Sequence, residues 1–178
     1  MAKQNGFGHP LVIQIPRMKQ PIPLFVVFRA LGVLSDRDIC EYIVLNVSSA
    51  NGDEDGDGGV TDRLLKALQA SIIDANGIMT QEDAVKYFTS QVIFTPINMD
   101  KETGAMKKRE FAQEVLHNDL FPHCNTAKQR LFFLGYMANK LLRAFFEINK
   151  QDDRDSYLNK RVDLTGALLN NQIGRAHV

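Results

Sequence analysis

The stretch from Thr126 to Ile148 restricts this chain more than any other, because it is apolar on nearly every side. Phe132, Phe133, Leu134, Tyr136, Met137, Leu141, Leu142, Phe145 and Phe146 leave a helix no wholly polar face. The expectation is a central buried helix with the remaining elements packed around it. Asn139, Lys140, Arg143 and Glu147 interrupt the run with too many polar groups for a lipid-spanning helix, so no membrane role is expected.

The other elements follow from periodicity and punctuation. Leu11 to Ile15 and Leu24 to Phe28 are short, rich in β-branched residues and separated by Pro16, Pro21 and Pro23, which predicts two short strands or a strand and an extended run. Ser35 followed by Asp38 has helix-capping spacing, with Ile39, Tyr42 and Ile43 on the apolar face of a short helix. Ser48 to Gly59 is acidic and glycine-rich and reads as a solvated loop or insertion. Leu64, Leu65, Leu68, Ile72 and Ile73 predict a helix from Asp62 to about Ala75, stopped by Asn76 and Gly77. A further helix begins at Thr80 with Val85, Phe88 and Val92 on its face and Pro96 limiting its run. Asn98 to Gly104 reads as a polar loop, and Phe111, Val115, Leu116 and Leu120 as a helix ending before Pro122. Gln151 to Arg161 is charged and turn-like, and a new element starts between Val162 and Leu169. The fold class predicted is mixed α+β, mostly α-helical, with a short N-terminal β element.

Composition excludes whole classes of function. Twenty-one Lys and Arg balance twenty-one Asp and Glu, which argues against a general polyelectrolyte binder. The balance is uneven along the chain: residues 1–100 hold 8 basic and 12 acidic side chains and residues 101–178 hold 13 and 9, so −4 is followed by +4. Cys40 and Cys124 lie far apart without ligand spacing, which indicates neither a disulfide framework nor a zinc site and fits a reducing compartment. Met1 to Gly8 has no apolar core of a signal peptide.

Three constellations invite a chemical reading. Asp53, Asp55, Asp57 and Gly58 repeat the first half of a calcium loop, but the twelfth position is Leu64 where a bidentate Glu is needed, so a solvated acidic loop is preferred. Asp152, Asp153 and Asp155 could gather magnesium, yet Arg154, Lys160 and Arg161 are close enough to pair with them, so a structural salt-bridged turn is preferred. His117, His123 and Cys124 have no orienting partner and read as a helix-end histidine and a buried thiol; Lys107, Lys108 and Arg109 read as a solvated helix face. No phosphate-loop, kinase, hydrolase or HExxH pattern occurs, so no catalytic residue and no metal ligand is assigned.

Four segments carry a resemblance. They are Ile22 to Val33 with the Ser35-Asp36-Arg37-Asp38-Ile39 helix start, Asp119-Leu120-Phe121-Pro122-His123, Lys128 to Leu142 with its Phe132-Phe133-Leu134-Gly135-Tyr136-Met137 core, and Lys150 to Gly166. In that order and spacing they resemble the second-largest subunit of a multisubunit DNA-directed RNA polymerase of the eukaryotic, archaeal and large-DNA-virus type. The last segment, acids then Asn159, Lys160 and Arg161 then an apolar run, is similar even to the bacterial β subunit. Thr89-Ser90-Gln91-Val92 departs from the glycine- and arginine-rich turn of cellular subunits, and with the Ser48–Gly59 segment leans toward a viral or otherwise distant polymerase.

The resemblance implies that residues 10–150 are the lobe, on one side of the DNA cleft, with 48–59 an acidic loop or insertion. Residues 151–171 would start the return to the protrusion and fork. It implies a fragment of a nucleotidyltransferase acting in transcription, inactive alone, without cofactor, with magnesium and zinc held elsewhere in the full polymerase. Partners implied are the largest polymerase subunit, other polymerase subunits, and DNA template and RNA in the complex. The compartment implied is the nucleus for a cellular eukaryotic enzyme, or the virion or infected-cell compartment for a viral one. Lys160, Arg161 and Arg154 are the cations expected nearest nucleic acid, with Asp152, Asp153, Asp155 and Asp163 forming the charged turn. The alternative is a stand-alone helical adaptor that binds another protein. Gln172 to Val178 is what the codons CAG ATC GGA AGA GCA CAC GTC encode, a string resembling a sequencing-adapter read, so residues 172–178 are expected to be a non-native tail.

Overall fold

Leu24 to Ala30 is apolar on every side except at Arg29, and all seven residues are buried. In the computed structural model, which describes residues 6–45, 58–95 and 100–176, this run is helix α1 (Leu24–Ala30) and not the expected strand. A short run enclosed on all sides has no solvent face to reveal its period, so strand and helix look alike in sequence. The ends decide it locally. Pro23 precedes the first turn with φ −55°, and Gly32, at φ 106°, closes the helix. There the Gly32 N–H donates to the Arg29 carbonyl at 3.1 Å and the Val33 N–H to the Phe28 carbonyl at 3.0 Å, the Schellman pattern.

The β element is smaller than expected. Strands β1 (Val12–Ile13) and β2 (Ile22–Pro23) pair antiparallel, with Val12 opposite Pro23 and Ile13 opposite Ile22. Ser71 Oγ accepts the Leu11 N–H at 2.8 Å and ties β1 to the helices.

Helices α2 (Asp36–Val44), α3 (Gly58–Asp74) and α4 (Gln81–Gln91) follow. The caps of α2 and α4 are those read from sequence. Ser35 Oγ accepts the Asp38 N–H at 3.5 Å, and Thr80 Oγ1 accepts the Asp83 N–H at 3.1 Å. The Thr80 hydroxyl in turn donates to Asp83, which with Lys86 holds that carboxyl below its ordinary value. Gly58 and Gly59, read as loop, form the first turn of α3, where the N–H groups have no partner within the helix in any case. The rest of the acidic segment, with Asp53, Asp55 and Asp57, lies outside the described residues. Leu64, at the twelfth position of the calcium-loop pattern, is buried in α3.

Asn98 to Gly104 is corrected in part: α5 (Lys101–Glu114) starts inside it, with Asp100 at the N-cap and Gly104 buried. Glycine suggested a loop, but Lys101, Glu102, Ala105 and Met106 are good helix formers and complete the turns around it. A π turn (Val115–Asp119) then carries Val115 and Leu116 into the core.

Helix α6 (Ala127–Phe145) has the capping box Thr126–Gln129. It is the longest helix among the described residues, but it is not buried all round. Leu131, Leu134, Ala138 and Leu142 face the core, whereas Phe132, Tyr136, Met137, Leu141 and Phe145 are about half exposed. The core has only one side to offer: α6 packs across α2, where Gly135 meets the Tyr42 backbone. Asn139 Nδ2 donates to the buried Ile43 carbonyl at 2.8 Å and fixes that crossing. A last helix, α7 (Thr165–Ala176), follows a charged, turn-containing segment. Among the described residues no helix is long and apolar enough to cross a membrane.

Candidate nucleic-acid interface

The charged segment begins where α6 is made to stop. Glu147 takes a left-handed φ of 57°, and the Ile148 N–H donates back to the Arg143 carbonyl at 3.0 Å. Beyond this stop the chain is held by its own turns. Asp153 Oδ1 accepts the Asp155 N–H at 3.0 Å, Asn159 Nδ2 donates to the Asp153 carbonyl at 2.9 Å, and the Asn159 N–H donates to the Ser156 carbonyl at 3.0 Å.

These turns bring Arg154, Lys160 and Arg161 around one open hollow with Asp155 and Asn159. Lys160 Nζ lies 3.6 Å from Asp155 Oδ1, and Arg161 Nε lies 3.8 Å from Asp163 Oδ1. Asp152 and Arg154 enter no ion pair among the described residues. The Arg161 side chain is 94% exposed. Exposed pairs at such distances are worth about 0–1 kcal/mol, so a phosphate oxygen can replace either carboxylate at little cost. The arrangement can hold a polyanion. No group of three His, Cys, Asp or Glu side chains is placed to hold a metal among the described residues.

The remaining candidates sit apart from this hollow. His123 packs edge-on against Phe121 and Phe133, with its ring centroid 4.5 Å from that of Phe133. Cys124 and Cys40 are both buried and free. Burial, aided by the Asp36 carboxylate, raises the Cys40 thiol from 9.0 to about 11, so it is no nucleophile at neutral pH. Lys108 and Arg109 share a groove between α4 and α5 with Lys86, opposed by Glu82. Sequence reading could not have joined Lys86 to Lys108, because only the packing of two helices brings them together.

The larger omission was Arg29. It is wholly buried, and its guanidinium donates to the Ala75 carbonyl at 2.7 Å, to the Ile78 carbonyl and to Asp36. One side chain therefore ties α1 to the α3–α4 turn and to the start of α2. Its only sequence signal is a charge inside an apolar run.

A family model described as RNA polymerase Rpb2, domain 2 matches residues 2–163, nearly the whole chain. The chain belongs to this family. Curated Rpb2-type relatives agree across distant organisms. The DNA-directed RNA polymerase II subunit RPB2 of Schizosaccharomyces pombe is 30% identical over 166 residues, covering 91% of this chain and 12% of the relative. The DNA-directed RNA polymerase II subunit 2 of Arabidopsis thaliana is 29% identical over 174 residues, 94% of this chain and 13% of the relative. The DNA-directed RNA polymerase subunit Rpo2 of the archaeon Saccharolobus solfataricus is 28% identical over 161 residues, 88% and 12%. The chain thus spans about an eighth of the length of these curated relatives, and the Rpb2 domain 2 match takes in α1, α6 and the charged turn up to Asp163.

Proposed function

We propose that this chain is a lobe piece of the second-largest subunit of a DNA-directed RNA polymerase. It shapes one side of the DNA cleft in an enzyme that extends RNA from nucleoside triphosphates on a DNA template. The match of residues 2–163 to Rpb2 domain 2 carries this reading. In it residues 10–150 are the lobe, 151–171 begin the return to the protrusion and fork, and 172–178 are non-native. The chain contributes no catalytic group; magnesium and zinc belong to other parts of the assembly. Its partners are the largest subunit, the other polymerase subunits and the nucleic acids, and its compartment is the nucleus or, for a virus, the virion or infected cell.

Within this role Arg154, Lys160 and Arg161 face phosphates, and Asp152, Asp153, Asp155 and Asp163 shape the turn that presents them. Weak exposed pairing supports the assignment, since it leaves the cationic heads exchangeable. The test uses the polymerase that contains this chain. Changing Arg154, Lys160 and Arg161 to Gln should lower the slope of log affinity for duplex DNA against log salt by about 0.9 for each phosphate no longer neutralised. An unchanged slope refutes the phosphate role. Reading the source DNA beyond the codon for Leu169 tests the larger claim: an open frame running on into a long subunit supports it, and an immediate stop favours the stand-alone adaptor.

A further inference from the structure

From Lys150 to Asp163 every residue but Ser156 is exposed, Tyr157 and Leu158 included, so no core packing fixes the path of the charged segment. Its shape rests on its own hydrogen bonds, and these are not equivalent. Two backbone turns follow one another. The Ser156 N–H donates to the Asp153 carbonyl at 3.3 Å, and the Asn159 N–H donates to the Ser156 carbonyl at 3.0 Å. Each turn spans three residues and they meet at Ser156, so by themselves they leave a hinge there. The Asn159 side chain removes that hinge. Its Nδ2 donates to the Asp153 carbonyl at 2.9 Å, across six residues, and this is the one hydrogen bond among the described residues that spans both turns. The Asp153 carbonyl thereby accepts twice, which occupies both of its lone pairs.

The place of this bond along the chain links it to the cations. It joins residues 153 and 159, and the residue next to each anchor is a cation, Arg154 after one and Lys160 after the other. One amide therefore sets how the two approach the open hollow of about 380 Å³ that they line with Arg161. The Lys160–Asp155 pair crosses the same loop at 3.6 Å, but it cannot do this work. It is exposed and weak, and it is undone whenever a phosphate takes Lys160. The amide bond is neutral and runs to the chain's own backbone, so it need not break when a polyanion arrives. Aspartate in place of Asn159 would set one acceptor against another.

We infer that Asn159 is a positioning residue for phosphate recognition: its amide closes the two turns into one loop, so that Arg154 and Lys160 face a common hollow before nucleic acid arrives. Holding the cations in place beforehand raises affinity by removing an ordering cost otherwise met on binding. The inference rests on the reading that Arg154, Lys160 and Arg161 meet phosphates, and adds the residue through which the chain presents them.

The test uses the polymerase that contains this chain and measures its affinity for duplex DNA over a range of salt concentrations. Asn159→Ala should weaken binding by about twofold to tenfold, the span expected for one hydrogen bond. The slope of log affinity against log salt should stay that of the parent, because the same cations still reach phosphates once bound. Adding Asn159→Ala to the variant with Arg154, Lys160 and Arg161 changed to Gln should weaken binding no further, since the amide then has no cation to position. Equal weakening in both backgrounds overturns the inference, because it marks a structural role that does not pass through these cations. Unchanged affinity of Asn159→Ala, where the triple Gln variant does lower the slope, overturns it while leaving the phosphate reading intact. A triple Gln variant with the parent slope removes the phosphate reading itself, and the inference with it.

Discussion

Replacing Gly135 by alanine adds a single methyl group at the crossing of α2 and α6. An ideal Cβ there falls 2.2 Å from the Tyr42 carbonyl oxygen and 2.8 Å from its carbon. A relaxed carbon–oxygen contact needs about 3.3 Å, so the helices must part by about 1 Å. Both atoms met are backbone, and no side-chain rotation relieves them. Parting the helices draws Asn139 away from the Ile43 carbonyl, now 2.8 Å distant, and strands two buried polar groups. The broken hydrogen bond costs about 1–3 kcal/mol and overpacking about 1–3 kcal/mol, against a gain of about 1 kcal/mol in helix propensity. Because the strain and the broken bond relieve each other in part, the net destabilisation is about 2–4 kcal/mol. The assay is urea unfolding of the chain followed by far-UV circular dichroism. Gly59→Ala is the control, because its Cβ meets nothing within 4 Å. It should leave the midpoint unchanged or slightly raised. Adding Tyr42→Ala to Gly135→Ala should not restore stability, since the clash is with backbone. A Gly135→Ala chain as stable as the parent would falsify the close approach.

Arg29→Met should destabilise the chain by about 3–5 kcal/mol in the same assay, because it leaves Asp36 and the Ala75 and Ile78 carbonyls without their partner. Asp36→Asn should cost clearly less, since Asp36 is one-third exposed and its amide can still accept from Arg29. Cys40 gives a pH dependence of known sign. The unfolded thiol ionises above its ordinary 9.0 while the folded one keeps its proton to about 11, so the unfolded state binds fewer protons in that window and stability falls as pH rises through it. The slope is at most about 1.4 kcal/mol per pH unit and should be absent in Cys40→Ala, measured from urea midpoints. Glu147→Gly should raise stability by about 1 kcal/mol, because the α6 stop needs a left-handed residue and glutamate is sterically strained there; a lower melting temperature would count against that geometry.

The candidate site was legible as a group and not as a geometry. The acids and cations crowded between Asp152 and Asp163 announce a solvated charged turn, because burying so many charges together would cost more than their mutual pairing returns. Which carboxylate meets which cation could not be read: Lys160 meets Asp155 and Arg161 meets Asp163, while Arg154 meets neither, because the hydrogen-bonded turns at Asp153 and Ser156 set the path of the segment. The open cleft lined by Leu34, Tyr42, Leu45 and Phe132 was invisible in sequence, since the turn before α2, α2 and α6 each supply part of it.

What the sequence by itself determined is what depends on neighbours along the chain. Ser35, Thr80 and Thr126 set helix starts because a cap is completed within three residues, and the four ordered segments were enough to indicate the family. The tertiary structure alone decided what depends on distant partners. It made Leu24 to Ala30 a helix, since an enclosed apolar run has no solvent face to mark its period. It left half of α6 exposed, since the core had only one side to give it. It also enclosed Arg29, whose charge is tolerable only where α1, α2 and the α3–α4 turn converge to supply its acceptors.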